Sequence, residues 1–210
     1  MKVIDLSHLV TNGMPVYPGT PPVSLKPLAS VDSDGFNELQ LLITTHIGTH
    51  IDCPRHLLND GFDTTVAADS FYGTGVMINC TYIPGEIPLD YFHDHRKMIG
   101  KADFLILYTG WDRNWGKEGY FTGFPVISIE CAQFLLEFRL KGIGIDTPSF
   151  DPVNSSELPV HNKLLSQGKV LIENLTNLRS LPESGFYFSC MPLKIENGDG
   201  CPVRAAGILK

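Results

Sequence analysis

Between positions 46 and 56 the chain reads His46-Ile47-Gly48-Thr49-His50-Ile51-Asp52-Cys53-Pro54-Arg55-His56, which puts three imidazoles and one carboxylate into eleven residues. Neutral imidazole nitrogen and carboxylate oxygen are ligands that suit zinc, manganese or ferrous iron. The segment therefore reads as a metal site, and as a catalytic one. A catalytic ion needs protein ligands and an open position for water. It lowers the pKa of that water, from 15.7 toward about 7 for zinc, and polarises a carbonyl under attack. His46, His50 and Asp52 supply three ligands.

No regular element brings these three together. In an extended strand His46 and His50 would stand roughly 13 Å apart, at about 3.3 Å per residue. In a helix His46 and His50 become neighbours, but Asp52 points elsewhere. The backbone must bend between His46 and His50, and Gly48 sits where a residue tolerant of unusual angles is needed. Pro54 stiffens the exit. His56 has two open roles. It is a general base, which imidazole can serve near neutral pH, or a ligand of a second ion with Asp52 as the bridge.

Other candidates carry less. His93-Asp94-His95 lies on an expected surface helix and reads as a solvated face. His8 is either near the pocket or hydrogen-bonded within the core. Cys53 occupies a variable slot and reads as a small packing residue. Tyr17, Phe36, Trp111 and Trp115 fall in loop-like segments where a planar aromatic substrate could stack, with ordinary packing as the competing reading. Tyr17 and Trp111 are taken as the substrate contacts. The chain has no Gly-x-Ser-x-Gly elbow, no Walker A sequence and no complete dinucleotide fingerprint, so a serine hydrolase and a nucleotide enzyme are not indicated.

The elements that must position these residues can be read coarsely. A chain of 210 residues, 43% hydrophobic and 19% charged, suits one globular domain over residues 1–210. Leu39–Thr45 reads as the strand that delivers the histidine segment. Residues 75–80, 104–108, 143–145, 170–172 and 185–188 are short apolar runs that read as buried strands. Ser128 to Leu140 reads as a helix, with Ser128 as N-cap, an apolar stripe through Ala132, Leu135 and Leu136, and Gly142 as the stop. Shorter helices are expected over residues 88–95 and 161–167. Residues 1–40, rich in glycine and proline, suggest a short strand followed by an ordered loop. Alternating buried strands and amphipathic helices indicate an α/β domain.

The net charge of −7, with no basic cluster, argues against a nucleic-acid partner. No apolar run approaches the roughly 20 residues needed to cross a membrane. The N-terminus lacks the apolar core of a signal peptide. The 5 cysteines are spread out and odd in number, which disfavours a disulfide framework. The cytoplasm is the expected compartment.

At its histidine segment the chain resembles the metal-dependent cyclase and hydrolase family that includes bacterial kynurenine formamidase and isatin hydrolase. The pattern His-x-Gly-Thr-His-x-Asp-x-Pro-x-His is complete. Ile4-Asp5-Leu6-Ser7-His8 with Pro15-Val16-Tyr17-Pro18-Gly19, Tyr108-Thr109-Gly110-Trp111, Gly144-Ile145-Asp146-Thr147-Pro148-Ser149, His161 through Leu165, Glu173-Asn174-Leu175 and the C-terminal stretch from Pro192 to Ala205 also look like the family's blocks. The resemblance refines the fold to a swivelling β/β/α domain with a mixed central sheet and flanking helices. It implies that His161 and Glu173 hold a second ion, so two divalent ions are favoured over one, with zinc first and manganese second. It also implies hydrolysis of an aryl formamide of the N-formylkynurenine kind, as in tryptophan catabolism. Opening a cyclic amide such as isatin is the alternative, and a non-catalytic small-molecule binder the third reading. A homodimer or homotetramer is implied as well.

Overall fold

The computed structural model describes residues 1–210. Its strands are β1 (Lys2–Asp5), β2 (Ser24–Ala29), β3 (Glu38–Leu42), β4 (His50–Asp52), β5 (Tyr72–Asn79), β6 (Glu86–Ile87), β7 (Phe104–Tyr108), β8 (Val126–Ile127), β9 (Gly142–Ile145), β10 (Val170–Glu173), β11 (Phe186–Ser189), β12 (Gly200–Pro202) and β13 (Ala206–Leu209). The helices are α1 (Val31–Asp34), α2 (Leu89–Asp94), α3 (Arg96–Ile99), α4 (Ile129–Leu135) and α5 (Pro159–Leu165).

One sheet of nine strands runs in the order β1-β13-β11-β5-β7-β9-β10-β4-β12. Its middle, β5-β7-β9-β10, is parallel, and the strands on either side are antiparallel. Central strands of this kind are covered on both faces and read as continuous apolar runs, as in Phe104-Leu105-Ile106-Leu107. Alternate residues serve different cores. Leu105 and Leu107 pack with Phe92, Phe134 and Leu164 from the helices. Phe104 and Ile106 pack in a second core with Ile4 of β1, Phe188 of β11 and Ile51 of β4. Residues from both ends of the sheet meet in that second core, so the sheet must curl. The domain is therefore mixed α/β, with a large curled sheet and few flanking helices.

The expected strands over 75–80, 104–108, 143–145, 170–172 and 185–188 correspond to β5, β7, β9, β10 and β11. The expected helix from Ser128 is shorter than its pattern. Ser128 caps it by accepting from the Cys131 amide, but α4 ends at Leu135. The next turn tightens, with Glu137 N–H donating to Phe134 O and Phe138 N–H to Leu135 O. Phe138 then packs edge-on against Phe134 and lies under Arg96. Leu39–Thr45 departs further from expectation. Its strand, β3, pairs only with β2 in a separate two-stranded arm, and every residue of β3 is exposed. The region before residue 40 is likewise more than a loop, since it holds β2 and α1. No helix is long and apolar enough to cross a membrane.

Candidate functional site

The site forms where β9 and β10 end and their loops begin, the edge of a parallel sheet at which ligands commonly sit. β4 lies antiparallel to β10 and places His50 opposite Glu173. His50 and Asp52, two apart on a strand, share a face. His46 reaches them through the bend that the sequence requires. Gly48 has φ of +56°, a value a side chain rarely tolerates. A Cβ there would also stand 2.9 Å from Met14 Cε. The rings of His46 and His50 lie 5.2 Å apart as a result.

Asp52 is the centre of the arrangement. Its Oδ1 lies 2.7 Å from His46 Nδ1 and 3.4 Å from His50 Nε2, and its Oδ2 lies 3.5 Å from His161 Nε2. Glu173 presents Oε1 at 3.0 Å from His161 Nε2 and Oε2 at 3.5 Å from His50 Nε2. Two donor triads result, His46-His50-Asp52 and Asp52-His161-Glu173, with donor atoms within 4.8 Å of one another and Asp52 common to both.

The nitrogens turned away from the cluster are also held. His50 Nδ1–H donates to Gly48 O at 2.8 Å. His161 Nδ1–H donates to Asp151 Oδ2 at 2.6 Å. Asp151 also accepts from the Val160 and His161 amides, capping the first turn of α5. Fixing the outer nitrogen fixes the tautomer and orientation of a ligating imidazole.

The electrostatics point the same way. Burial alone would lower the pKa of His46, but the charge of Asp52 and bonds to Asp199 and Asp52 raise it to about 10. Burial likewise opposes the upward shift of His161, and Asp151, Asp52 and Glu173 overcome it. Asp52 is held well below the usual carboxylate range despite its burial, chiefly by His46 and by bonds from His161 and His46. Without an ion, these imidazoles take up protons because the carboxylates demand positive charge. Oxygen and imidazole donors converging on a shared carboxylate fit one or two divalent cations. Cys53 is fully buried, and burial together with the Asp52 charge pushes its thiol up to about 12. It packs rather than ligates.

His56 does not join the Asp52-His161-Glu173 triad. It stands on the His46 side, with ring centroids 4.1 Å apart, in a third group with Asp199. Asp199 is the residue that sequence reading overlooked. The available signal was an acid between two glycines, Gly198-Asp199-Gly200, where backbone can approach closely.

A cavity of about 260 Å³ opens above the cluster, and His46, His50, Asp52, His56, His161 and Glu173 all line it. Tyr17, Trp115 and Phe121 supply aromatic walls. Burial first, and then the Glu173 charge, raise the pKa of Tyr17, so its phenol keeps its proton. Trp111, expected as a substrate contact, is not on the cavity wall. Its indole N–H donates to Tyr120 O and its ring packs on Phe124, so it supports the wall from behind. Trp115 takes the wall position instead. It stacks on His8 at 3.9 Å with the planes 8° apart, and burial lowers the pKa of His8 to about 4.

Residues 4–152 match the Cyclase family, described as "Putative cyclase". Kynurenine formamidase of Geobacillus thermodenitrificans is 32% identical over 206 residues, covering 97% of this chain and 95% of that one. An isatin hydrolase bound to the product analogue thioisatinate superposes with a TM-score of 0.88 at 25% identity, covering 100% of this chain and 93% of that one. A structure titled a potential metal-dependent hydrolase with cyclase activity gives a TM-score of 0.83 at 25% identity, covering 100% and 98%. With the family match spanning most of the chain and the full-length relatives agreeing, this chain belongs to the Cyclase family.

Proposed function

We propose that the chain is a metal-dependent hydrolase of small aromatic amides, with an aryl formamide of the N-formylkynurenine type as its substrate. The observation that carries this reading is Asp52, whose two oxygens face two donor triads beneath an aromatic-walled cavity. His46, His50 and Asp52 would hold one ion, and Asp52, His161 and Glu173 a second. The bound cation supplies Lewis acidity, acidifying a water and polarising the carbonyl under attack.

The chain's own residues do the rest. Trp115 and Phe121 stack on the aryl ring and exclude solvent. Tyr17 keeps its proton and donates a hydrogen bond from its phenol to a substrate oxygen. His56, held at Nδ1 by Asp199, takes a proton from water at Nε2 as a C–O bond forms at the formyl carbon. It returns that proton to the amine nitrogen as the C–N bond breaks. Formate and an aryl amine leave. The same steps open a cyclic amide, and the likeness to an isatin hydrolase supports that as the second substrate class.

Zinc is the ion proposed first and manganese second. The arm of β2 and β3 and the connection between them expose Leu28, Phe36, Leu39, Leu41 and Leu42, apolar side chains that a second copy would cover, which supports a homodimer or a homotetramer. All five cysteines are free and buried, in keeping with a reducing compartment. The cytoplasm is the compartment proposed.

The test is hydrolysis of N-formyl-L-kynurenine and of isatin by chelated protein, before and after zinc or manganese is restored. Turnover that depends on the ion, with kcat/KM on the order of 10⁴ M⁻¹s⁻¹, is expected for the formamide. Equal turnover by the ion-free protein, or none of either amide with ions bound, would overturn the reading.

A further inference from the structure

Asp199 lies outside both Asp52 triads, yet one of its oxygens serves two imidazoles that line the cavity. Oδ2 stands 2.7 Å from His46 Nε2 and 3.2 Å from His56 Nδ1. The backbone fixes this carboxylate in place. Asp199 O accepts from the Cys53 amide at 2.9 Å, and the next residue, Gly200, pairs opposite Asp52 at the start of β12. The approach is close enough to exclude a side chain at 200, where a Cβ would meet His46 Cε1 at 2.7 Å and Ile51 O at 2.5 Å. An isolated surface carboxylate would carry little weight. Here two partly buried imidazoles converge on one oxygen, and one of them turns its other nitrogen, Nδ1, toward Asp52.

We infer that Asp199 is a positioning residue that couples the metal ligand His46 to the proton-transfer residue His56. By accepting from His46 Nε2–H it keeps the Nδ1 lone pair aimed into the donor cluster, the arrangement Asp151 gives His161 on the deep side. By accepting from His56 Nδ1–H it leaves Nε2 as the nitrogen that takes and returns the proton. The His56 half rests on the proposed hydrolysis. The His46 half concerns ion affinity and is independent of any substrate.

The experiment uses the full chain as wild type, Asp199→Asn, His56→Ala and the double variant, with Asp199→Glu as a charge-keeping control. Zinc affinity, read by competition with a chromophoric chelator, should fall about 10- to 100-fold in Asp199→Asn. The number of ions per chain should not change. Nitrogen-15 spectra of the histidine rings should show His56 leaving its Nδ1–H tautomer. On whichever of the two amides is turned over, kcat should fall about 10²-fold with KM nearly constant. In the His56→Ala background the same change should cost no further kcat. Asp199→Glu should recover part of the affinity and rate. Loss of one ion per chain would overturn the inference and make Asp199 a ligand. Unchanged affinity and tautomer, or rate losses that simply multiply in the double variant, would also overturn it. If neither amide is hydrolysed, the chelator and tautomer measurements still decide, so failure of the hydrolase reading is distinguishable.

Discussion

The deep and outer ends of the donor cluster are built on opposite plans. Asp52, His161 and Glu173 are only 1%, 3% and 5% exposed, and they come from β4, α5 and β10, elements anchored in both cores. The side chains of His46, His56 and Asp199 are 22%, 27% and 36% exposed and come from the bend, a short turn and the lead into β12. In the deep end, charges face each other where water screens them little, so their geometry is tightly held. At the outer end water reaches the imidazoles, and protons can enter and leave. The deep end is buried and fixed, the outer end is open to water, and Asp52 joins them.

The largest test removes the junction. Asp52→Asn should empty both triads and lower kcat/KM by more than about 10³-fold, measured as metal content and steady-state rate on the same preparation. Retention of a full complement of ions would mean the ends are independent, and the comparison would fail. A milder change should strike the outer end alone. In Gly200→Ala the new methyl has to displace His46 or the backbone at Ile51, costing roughly 1–3 kcal/mol of stability and about tenfold in affinity at the His46 side. The deep ion should stay. Loss of both ions from this variant would show that outer geometry governs the deep end too.

The smallest effect lies in the wall. His8, stacked under Trp115, has a folded-state pKa of about 4 against 6.5 when solvated. Between those values the unfolded chain binds more protons than the native one, so stability falls as pH drops from about 6.5 toward 4 and is fully present above. That contribution is at most about 3 kcal/mol. Urea unfolding at pH 7 and pH 4.5 should show a smaller pH difference in His8→Gln than in wild type. An identical difference would remove His8 from the account.

How much of this could be read in advance differs by residue. His46, His50, Asp52 and His56 lie within eleven residues, and the impossibility of gathering the first three on a regular element pointed to the bend at Gly48. His161 and Glu173 came only through resemblance, because nothing local distinguishes an imidazole on a short helix or a carboxylate at a strand end. Asp199 is 153 residues from His46, and Trp115 differs from Trp111 only in which way its loop turns. The apolar pattern of residues 39–45 marked a strand correctly. It could not say that β3 would find only β2 as partner and leave its leucines exposed.

Sequence alone determined the donor types, the bend they require and the apolar runs that become the central strands, because these follow from side-chain chemistry and local torsion. The tertiary structure decided which oxygen faces which nitrogen. It set β4 between β10 and β12, neighbours far apart in the chain. That placement put Glu173 and Asp199 on either side of one short strand. Side chains distant in sequence meet there because curling the sheet buries both of its faces, and no local pattern encodes that closure.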